Sequence, residues 1–257
     1  MNLRAWIQQR ALDLYSHDWF MRRGIDPKQK SLRRALLRQF RRIDKEIQCL
    51  HSKKEMLVMV DFLLNSAPEG CMVECGSYLG GSSAKLSLVA AATGRRLYVC
   101  DSFEGLPNPS RTDGDFTDAH SGSAQRFRGG DYAARREIVE ANVRRCGNFE
   151  VCTFVQGFFA DSLPKLLKDE QIRPAFVFGD ADLVDSTRDI LRSLWPCLQA
   201  GGRFYTHDAN LVEFCEGIMD GEFWHNDLGQ FPPVLFGAGY GLGFRAGGIA
   251  YLQKREP

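Results

Sequence analysis

The chain has 257 residues, 44% of them hydrophobic and 25% charged, and this length fits one large globular domain with or without an appended arm. It has no run of about eighteen apolar residues and no basic-then-apolar segment at its N-terminus, so we expect a cytoplasmic protein without membrane insertion. The net charge of +1 is uneven, because residues 1–55 hold 14 Lys and Arg against 6 Asp and Glu. So small a total charge gives no reason to expect nucleic acid as a partner.

Residues 1–52 are predicted to form a basic helical arm, separate from a main domain over residues 53–257. Gly24 and Pro27 divide an earlier helix from a later one. The later helix carries apolar residues at helical spacing, namely Leu32, Leu36, Leu37, Phe40, Ile43 and Ile47. This stripe needs a covering surface, for which association with a second copy is favoured over packing on the main domain or on an anionic membrane. The arm therefore predicts a homo-oligomer.

After a helix over residues 53–65, short apolar strands alternate with helices. The strands are predicted at residues 71–75, 96–100, 151–156, 175–178 and 203–206. Short strands that are apolar throughout are typical of a parallel sheet covered on both faces, so we predict a doubly wound, Rossmann-like α/β sheet. The polar residues 104–131 predict a long loop that acts as a lid, and the glycine-rich tail predicts a closing hairpin.

The turn after the first strand has the position of a dinucleotide-binding loop but lacks its full glycine pattern. Gly76 follows the strand, whereas Tyr78 stands where a second glycine would let the backbone approach a pyrophosphate. S-adenosylmethionine, which has a ribose and no phosphates, fits this loop better than a nicotinamide dinucleotide does. Asp101 ends the second strand, where a carboxylate can accept hydrogen bonds from both ribose hydroxyls. We therefore expect S-adenosylmethionine binding, with a nicotinamide-dependent oxidoreductase as the weaker alternative.

Five segments of the chain, taken in order, resemble the macrocin O-methyltransferase family. They are residues 74–82 (ECGSYLGGS), 101–107 (DSFEGLP), 157–164 (GFFADSLP), 180–187 (DADLVDST) and 201–208 (GGRFYTHD). These enzymes methylate sugar hydroxyls of antibiotics. The resemblance, which covers about residues 53–210, therefore implies a class I methyltransferase sheet and methyl transfer from S-adenosylmethionine to a hydroxyl of a small molecule. An inactive homologue that only binds the cofactor is the alternative.

The resemblance also implies which residues hold the cofactor. The methionine part would lie against the loop after the first strand, the ribose against the end of the second strand, and the adenine near the end of the third. The implied residues are Glu74, Gly76, Ser77, Tyr78, Ser82, Asp101, Ser102, Gly157, Phe158, Asp161 and Asp180.

A divalent metal site is expected where the fourth and fifth strands end. These strands are neighbours in a doubly wound sheet, so Asp180 and Asp208 can converge, and a cation would relieve their repulsion. The resemblance implies a metal at the same place, but family members usually have two acidic residues where this chain has His207 and Asp208. Imidazole suits transition metals better than magnesium, so Mg²⁺ and Mn²⁺ are both candidates, with His207 as a possible third ligand.

Two residues are candidates for removing the proton of the acceptor hydroxyl. Asp182, two residues beyond Asp180, matches an acidic position of the family and is the first candidate. His120, within the long loop, is the second candidate, although a solvated histidine without a role is the simpler explanation. Asp185 is expected to cap the helix that begins after it.

Overall fold

The computed structural model describes residues 3–111, 113–242 and 247–255. Within them, eight strands occur: β1 (Cys71–Cys75), β2 (Leu97–Asp101), β3 (Phe116–Thr117), β4 (Ala124–Gln125), β5 (Cys152–Gln156), β6 (Pro174–Gly179), β7 (Arg203–Thr206) and β8 (Ala250–Gln253). Six of them form one sheet in the order β5, β2, β1, β6, β7, β8, in which only β8 runs antiparallel to its neighbour. The predicted doubly wound α/β sheet is confirmed.

The helices of the described residues are α1 (Leu3–Arg22), α2 (Pro27–Glu46), α3 (Lys53–Asn65), α4 (Gly81–Thr93), α5 (Arg136–Cys146), α6 (Phe159–Glu170), α7 (Val184–Cys197), α8 (Val212–Ile218) and α9 (Gly221–Leu228). Some of them begin at a side-chain cap. Asp26 caps α2 with Pro27 in its first turn, and Ser52 and Glu55 form a capping box at α3. No helix of the described residues is both long and apolar enough to span a membrane.

Alternate residues of the parallel strands bury against different helices. Met72 and Phe176 belong to a cluster that includes residues of α2, α3 and α4, whereas Val73 and Val177 belong to a cluster with residues of α6, α7 and α9. Each such side chain is removed from water completely, which contributes about 1.5–3 kcal/mol. The sheet is thus covered on both faces, and ligands have access at its carboxyl edge.

The N-terminal arm packs on the rest of the chain. The apolar stripe of α2 is largely buried in the cluster that also contains α3 and α4. Arg33, which is fully buried, donates to Asp61 of α3 at 2.8 Å, and Lys85 of α4 pairs with Asp44 of α2. The stripe is therefore covered within one chain, which removes the observation that favoured association. The homo-oligomer stays a prediction.

The loop over residues 104–131 contains structure that its composition did not predict. β3 and β4 form a short antiparallel pair within it, and Phe116 and Phe127 are buried against Phe214 of α8 and its neighbours. Asp113 Oδ1 accepts hydrogen bonds from the backbone N–H groups of Val184 and Asp185 at 2.7 and 3.4 Å. The loop, rather than Asp185, therefore caps α7. The prediction that Asp185 is the cap was wrong, because α7 begins one residue before it.

The tail differs from the predicted closing hairpin. In the described residues it contains the strand β8, which pairs with β7, and Phe236, which forms an isolated antiparallel bridge with Tyr251. Part of the glycine-rich stretch, residues 243–246, lies outside the described residues.

Candidate active site

A cavity of about 390 Å³ lies at the carboxyl edge of the sheet, in the size range of small-molecule sites. Residues that follow β1, β2, β6 and β7 line it, in agreement with where doubly wound sheets bind ligands. Leu106 and Phe127 of the long loop and Phe158 before α6 line its sides. Most of the predicted cofactor, metal and catalytic residues meet in this cavity.

Gly76 allows β1 and β6 to end in close contact. A Cβ atom at this position would lie 1.9 Å from the carbonyl oxygen of Asp180, and its φ is +96°. Tyr78 has a φ of +46°, a left-handed conformation that its side chain disfavours. Its ring lines the cavity next to Tyr132 of the loop region, with ring centroids 5.7 Å apart. Strained residues of this kind gather at functional sites.

Asp101 ends β2 with both carboxylate oxygens hydrogen-bonded to its neighbours. Oδ2 accepts from the backbone N–H and the hydroxyl of Ser77 at 2.7 and 2.8 Å, and Oδ1 accepts from the N–H of Phe103 at 2.8 Å. An ionised carboxylate has about four acceptor sites, so these bonds leave room for a further donor from the cavity. The carboxylate is thus fixed in place before any ligand arrives.

The cavity accounts for most, but not all, of the predicted cofactor residues. Those that line it are Gly76, Ser77, Tyr78, Asp101, Ser102, Phe158 and Asp180. Ser82 lines a smaller adjoining cavity of about 20 Å³. Gly157 and Asp161 are not among the described lining residues. Asp161 is exposed in the first turn of α6. Phe159 and Ala160, in the first turn of α6, line the cavity instead.

Glu74 does not line the cavity, and its prediction as a cofactor residue is not supported. Successive strand residues face opposite sides of the sheet, so Glu74 shares the face of Met72. The side chain is fully buried, and neither carboxylate oxygen has a hydrogen-bond partner among the described residues. Burial raises the pKa of Glu74 to about 7, and the nearby hydroxyls of Ser82 and Ser83 offset only part of the rise.

Three carboxylates meet where β6 and β7 end, as their neighbouring positions predicted. Asp180, Asp182 and Asp208 all line the cavity. Burial and the charges of Asp208 and Asp180 raise the pKa of Asp182 well above its usual value. Oδ2 of Asp208 is buried and has no hydrogen-bond partner in the described part of the chain. A carboxylate with a raised pKa suits a proton acceptor, and an unpartnered carboxylate oxygen suits a cation ligand.

Two histidines lie against these carboxylates. His51 Nε2 is 2.8 Å from Asp180 Oδ2, and His207 Nδ1 is 3.4 Å from Asp180 Oδ1 and 3.5 Å from Asp208 Oδ1. Burial opposes protonation, but the charge of Asp180 raises the pKa of His51 to about 10. Burial likewise opposes protonation of His207, yet Asp208 and Glu55 raise its pKa well above the usual value.

His120 is not among the described residues that line the cavity. Its side chain is exposed in the loop, with its ring centroid 5.5 Å from that of Tyr240. The structure therefore gives no support to its prediction as a catalytic base. Asp182, the first candidate, does line the cavity.

The sequence did not single out His51 or Glu55. His51 comes from the segment between α2 and α3, and Glu55 Oε2 lies 3.8 Å from His207 Nε2. The only local signal is the capping box of Ser52 and Glu55, which locates the start of α3. That pattern does not predict that the start of α3 lies against the ends of β6 and β7.

The comparisons with known proteins agree with this architecture. Two solved structures share the fold: the O-methyltransferase NovP, with a TM-score of 0.58 and 23% identity over 84% of this chain and 80% of that one, and the calicheamicin methyltransferase CalS11, with a TM-score of 0.55 and 18% identity over 89% and 93%. At these identities the likeness shows the fold alone, which is that of a class I methyltransferase.

Two curated relatives from Streptomyces align with 167 residues of the chain. The 8-demethyl-8-(2,3-dimethoxy-alpha-L-rhamnosyl)-tetracenomycin-C 4'-O-methyltransferase of Streptomyces olivaceus is 34% identical, and the demethyldecarbamoylnovobiocin O-methyltransferase of Streptomyces niveus is 29% identical. Each alignment covers 62% of this chain and 60% of the relative, so the chain matches about 60% of the length of these proteins.

A family model described as macrocin-O-methyltransferase (TylF) matches residues 52–227, which is more than half of the chain and includes every lining residue of the cavity except Leu50 and His51. The resemblance of the five ordered segments is thereby confirmed, and the chain belongs to the macrocin-O-methyltransferase family.

Proposed function

We propose that this protein is an S-adenosylmethionine-dependent O-methyltransferase that acts on a sugar hydroxyl of a small natural product. The observation that carries the proposal is one cavity with two chemically different ends, the Tyr78 and Asp101 end and the Asp182 and Asp208 end. Both curated relatives act on natural products by their names, a rhamnosyl tetracenomycin and demethyldecarbamoylnovobiocin, and the first of these supports a rhamnosylated acceptor.

The first end of the cavity suits the cofactor. Bound S-adenosylmethionine would supply an electrophilic methyl group that needs only alignment with a nucleophilic oxygen. The fixed carboxylate of Asp101 accepts from a ribose hydroxyl, and the Phe158 ring, 41% exposed, offers an apolar surface to the adenine. Tyr78 stands where a glycine would let the backbone approach a pyrophosphate, which argues against a nicotinamide dinucleotide.

The second end suits an acceptor hydroxyl. The Asp182 carboxylate, with its raised pKa, accepts the proton that the hydroxyl loses during methyl transfer. Asp180, His207 and Asp208 fit a divalent cation, because Oδ2 of Asp208 is buried without a partner among the described residues and the carboxylates repel one another. Such an ion would lower the pKa of the hydroxyl and orient it.

Cofactor binding is tested by calorimetry with S-adenosylhomocysteine. The wild-type protein should bind it, and Asp101→Ala should weaken binding by about 1–3 kcal/mol, because a hydrogen-bonded ligand group loses a charged partner. Asp115→Ala, in an exposed ion pair with Arg126, is the matched control and should bind like the wild type. Binding of NADH in place of S-adenosylhomocysteine would contradict the proposal and favour the oxidoreductase.

Turnover is tested with S-adenosylmethionine and a rhamnosylated aromatic acceptor. Asp182→Asn should lower turnover about 10²-fold or more while S-adenosylhomocysteine affinity is unchanged. The variant lacks the proton acceptor but keeps the residues at the cofactor end of the cavity. Turnover of the wild type should rise with pH through a range above that of ordinary carboxylates, because Asp182 stays protonated to higher pH. Asp185→Asn is the control. Cofactor binding without methyl transfer to any sugar hydroxyl would identify a non-methylating homologue.

A further inference from the structure

The segment between α2 and α3 brings an imidazole to the acidic end of the cavity. His51 lies at this junction, and a ligand atom from each of His51, Asp180 and His207 lies within 4.8 Å of the other two. The side chain of His51 is only 6% exposed, and its ring centroid is 4.9 Å from that of His207. The histidine is therefore held inside the site and is not a surface residue that happens to be near.

The separations between these atoms match those of ligands around one ion. His51 Nε2 and Asp180 Oδ2 are 2.8 Å apart, and His207 Nδ1 is 3.4 Å from Asp180 Oδ1 and 3.5 Å from Asp208 Oδ1. Two ligands at about 2.1 Å from one cation are about 3.0 Å apart at an octahedral angle and about 3.4 Å apart at a tetrahedral angle. One cation can thus be approached by His51, Asp180 and His207, and Asp208 lies beside His207 at the edge of this group.

The second nitrogen of each imidazole ring, which does not face Asp180, also has a neighbour. His207 Nε2 faces Glu55 Oε2 at 3.8 Å, and Glu55 is itself held by the N–H groups of Ser52 at 2.7 Å and Gly248 at 2.9 Å. His51 Nδ1 faces the Cys49 sulfur at 3.6 Å. Metal-binding histidines usually donate their second ring N–H to a carboxylate, a backbone carbonyl or water, and Glu55 offers such a carboxylate beside His207.

We propose that His51 joins Asp180, His207 and Asp208 in a mixed imidazole and carboxylate site that prefers first-row transition cations to Mg²⁺. The inference rests on the proposed function for the place of the metal, and it goes beyond it in the fourth ligand and in the class of ion. Imidazole nitrogen suits Fe²⁺, Ni²⁺ and Zn²⁺, and Co²⁺ lies between Fe²⁺ and Ni²⁺ in the order of affinity, whereas Mg²⁺ prefers oxygen. The site is complete only when the end of the arm is docked on the main domain.

The test is calorimetry of the chelator-treated full chain with Co²⁺ alone and with Mg²⁺ alone. His51→Ala should weaken Co²⁺ binding at least tenfold and change Mg²⁺ binding much less, because only an imidazole ligand is lost. The visible absorption bands of bound Co²⁺ should change in the same variant. His225→Ala, an exposed histidine on α9, is the matched control and should behave like the wild type.

A second variant keeps the test decisive if His51→Ala is poorly folded. His207→Asp should raise Mg²⁺ affinity and lower the ratio of Co²⁺ to Mg²⁺ affinity at least tenfold, because a carboxylate replaces an imidazole. S-adenosylhomocysteine binding reports that each variant is folded. Equal Co²⁺ affinity and spectrum in wild type and folded His51→Ala would overturn the inference and leave His51 as an ion-pair partner of Asp180. Absence of Co²⁺ binding in the wild type would also overturn it. In either case, continued methyl transfer would leave the proposed function intact.

Discussion

At the ends of β1 and β2, Asp101 accepts three hydrogen bonds from the chain, whereas at the ends of β6 and β7 one oxygen of Asp208 is buried with no partner in the described structure. The first end is complete without a ligand. The second end holds carboxylates that repel one another and raise the pKa of Asp182. The difference teaches that a carboxylate surrounded by donors of its own chain is satisfied in the folded protein, whereas carboxylates that converge with too few donors leave unfavourable charge there.

We expect the largest change in stability from a substitution at Gly76, where the end of β1 contacts the end of β6. Gly76→Ala would place a Cβ atom 1.9 Å from the carbonyl oxygen of Asp180 at a φ of +96°, so the strand ends must separate. We expect a loss of roughly 3–5 kcal/mol in the free energy of unfolding, measured by urea denaturation. Gly94→Ala, at a φ of +67° with no described atom within 4 Å, is the control and should lose only about 1 kcal/mol. Equal losses would show that the close contact does not matter.

The next effect concerns Glu74, whose pKa is raised to about 7 in the folded protein. A raised folded-state pKa means that its stabilising contribution is present below about pH 4.5 and is lost as the pH rises through 7. Glu74→Gln should therefore lie within about 1 kcal/mol of the wild type in stability near pH 5 and exceed it by on the order of 3 kcal/mol near pH 8.

The control for this prediction is a second buried glutamate with the opposite shift. Burial opposes ionisation of Glu55, but His207 and backbone N–H groups hold its pKa at about 2. Its contribution is constant from pH 5 to pH 8 and is lost only as the pH falls towards 2. Glu55→Gln should thus destabilise by the same amount at both pH values. If the stability difference between Glu74→Gln and the wild type does not change between pH 5 and pH 8, the pKa of Glu74 is not raised.

The smallest expected changes in stability compare the two ends of the cavity directly. Asp101→Asn should destabilise the ligand-free protein by about 1–2 kcal/mol, because the hydroxyl and N–H donors of Ser77 and the N–H of Phe103 lose a charged acceptor. Asp182→Asn should instead stabilise it by about 0.5–2 kcal/mol, because a repelled carboxylate is removed. Thermal unfolding in the presence of a chelator measures both. Destabilisation by Asp182→Asn would contradict the picture of stored charge at the second end.

The sequence predicted the sheet well because its strands are short, mostly apolar and punctuated by glycine. The convergence of Asp180 and Asp208 followed from the same topology. The differences concern side chains whose surroundings are set by tertiary packing. Glu74 does not line the cavity, and strand alternation, applied residue by residue, puts it on the face of Met72. His51 could not be found, because no local pattern tells how the arm docks on the main domain.

The apolar residues of the long loop were similarly hidden by its polar composition. Phe116 and Phe127 are separated by Gly, Asp and Ser residues, and their burial depends on α8, which comes about ninety residues later in the chain. A polar composition therefore predicted exposure where the structure has a small core. Element boundaries are local properties, but what a loop packs against is not.

The cap that Asp113 provides to α7 has a consequence for how large molecules move in and out. Leu106 and Phe127 of the same loop line the cavity, and the loop is attached to α7 and α8 by Asp113 and by Phe116, which is 1% exposed. Swinging the loop outward would strip the first amides of α7 of their acceptor and expose Phe116 to water. We therefore expect the entry and exit of any bulky ligand of this cavity to be coupled to fraying of the first turn of α7, so that ligand exchange becomes slower as the ligand becomes larger.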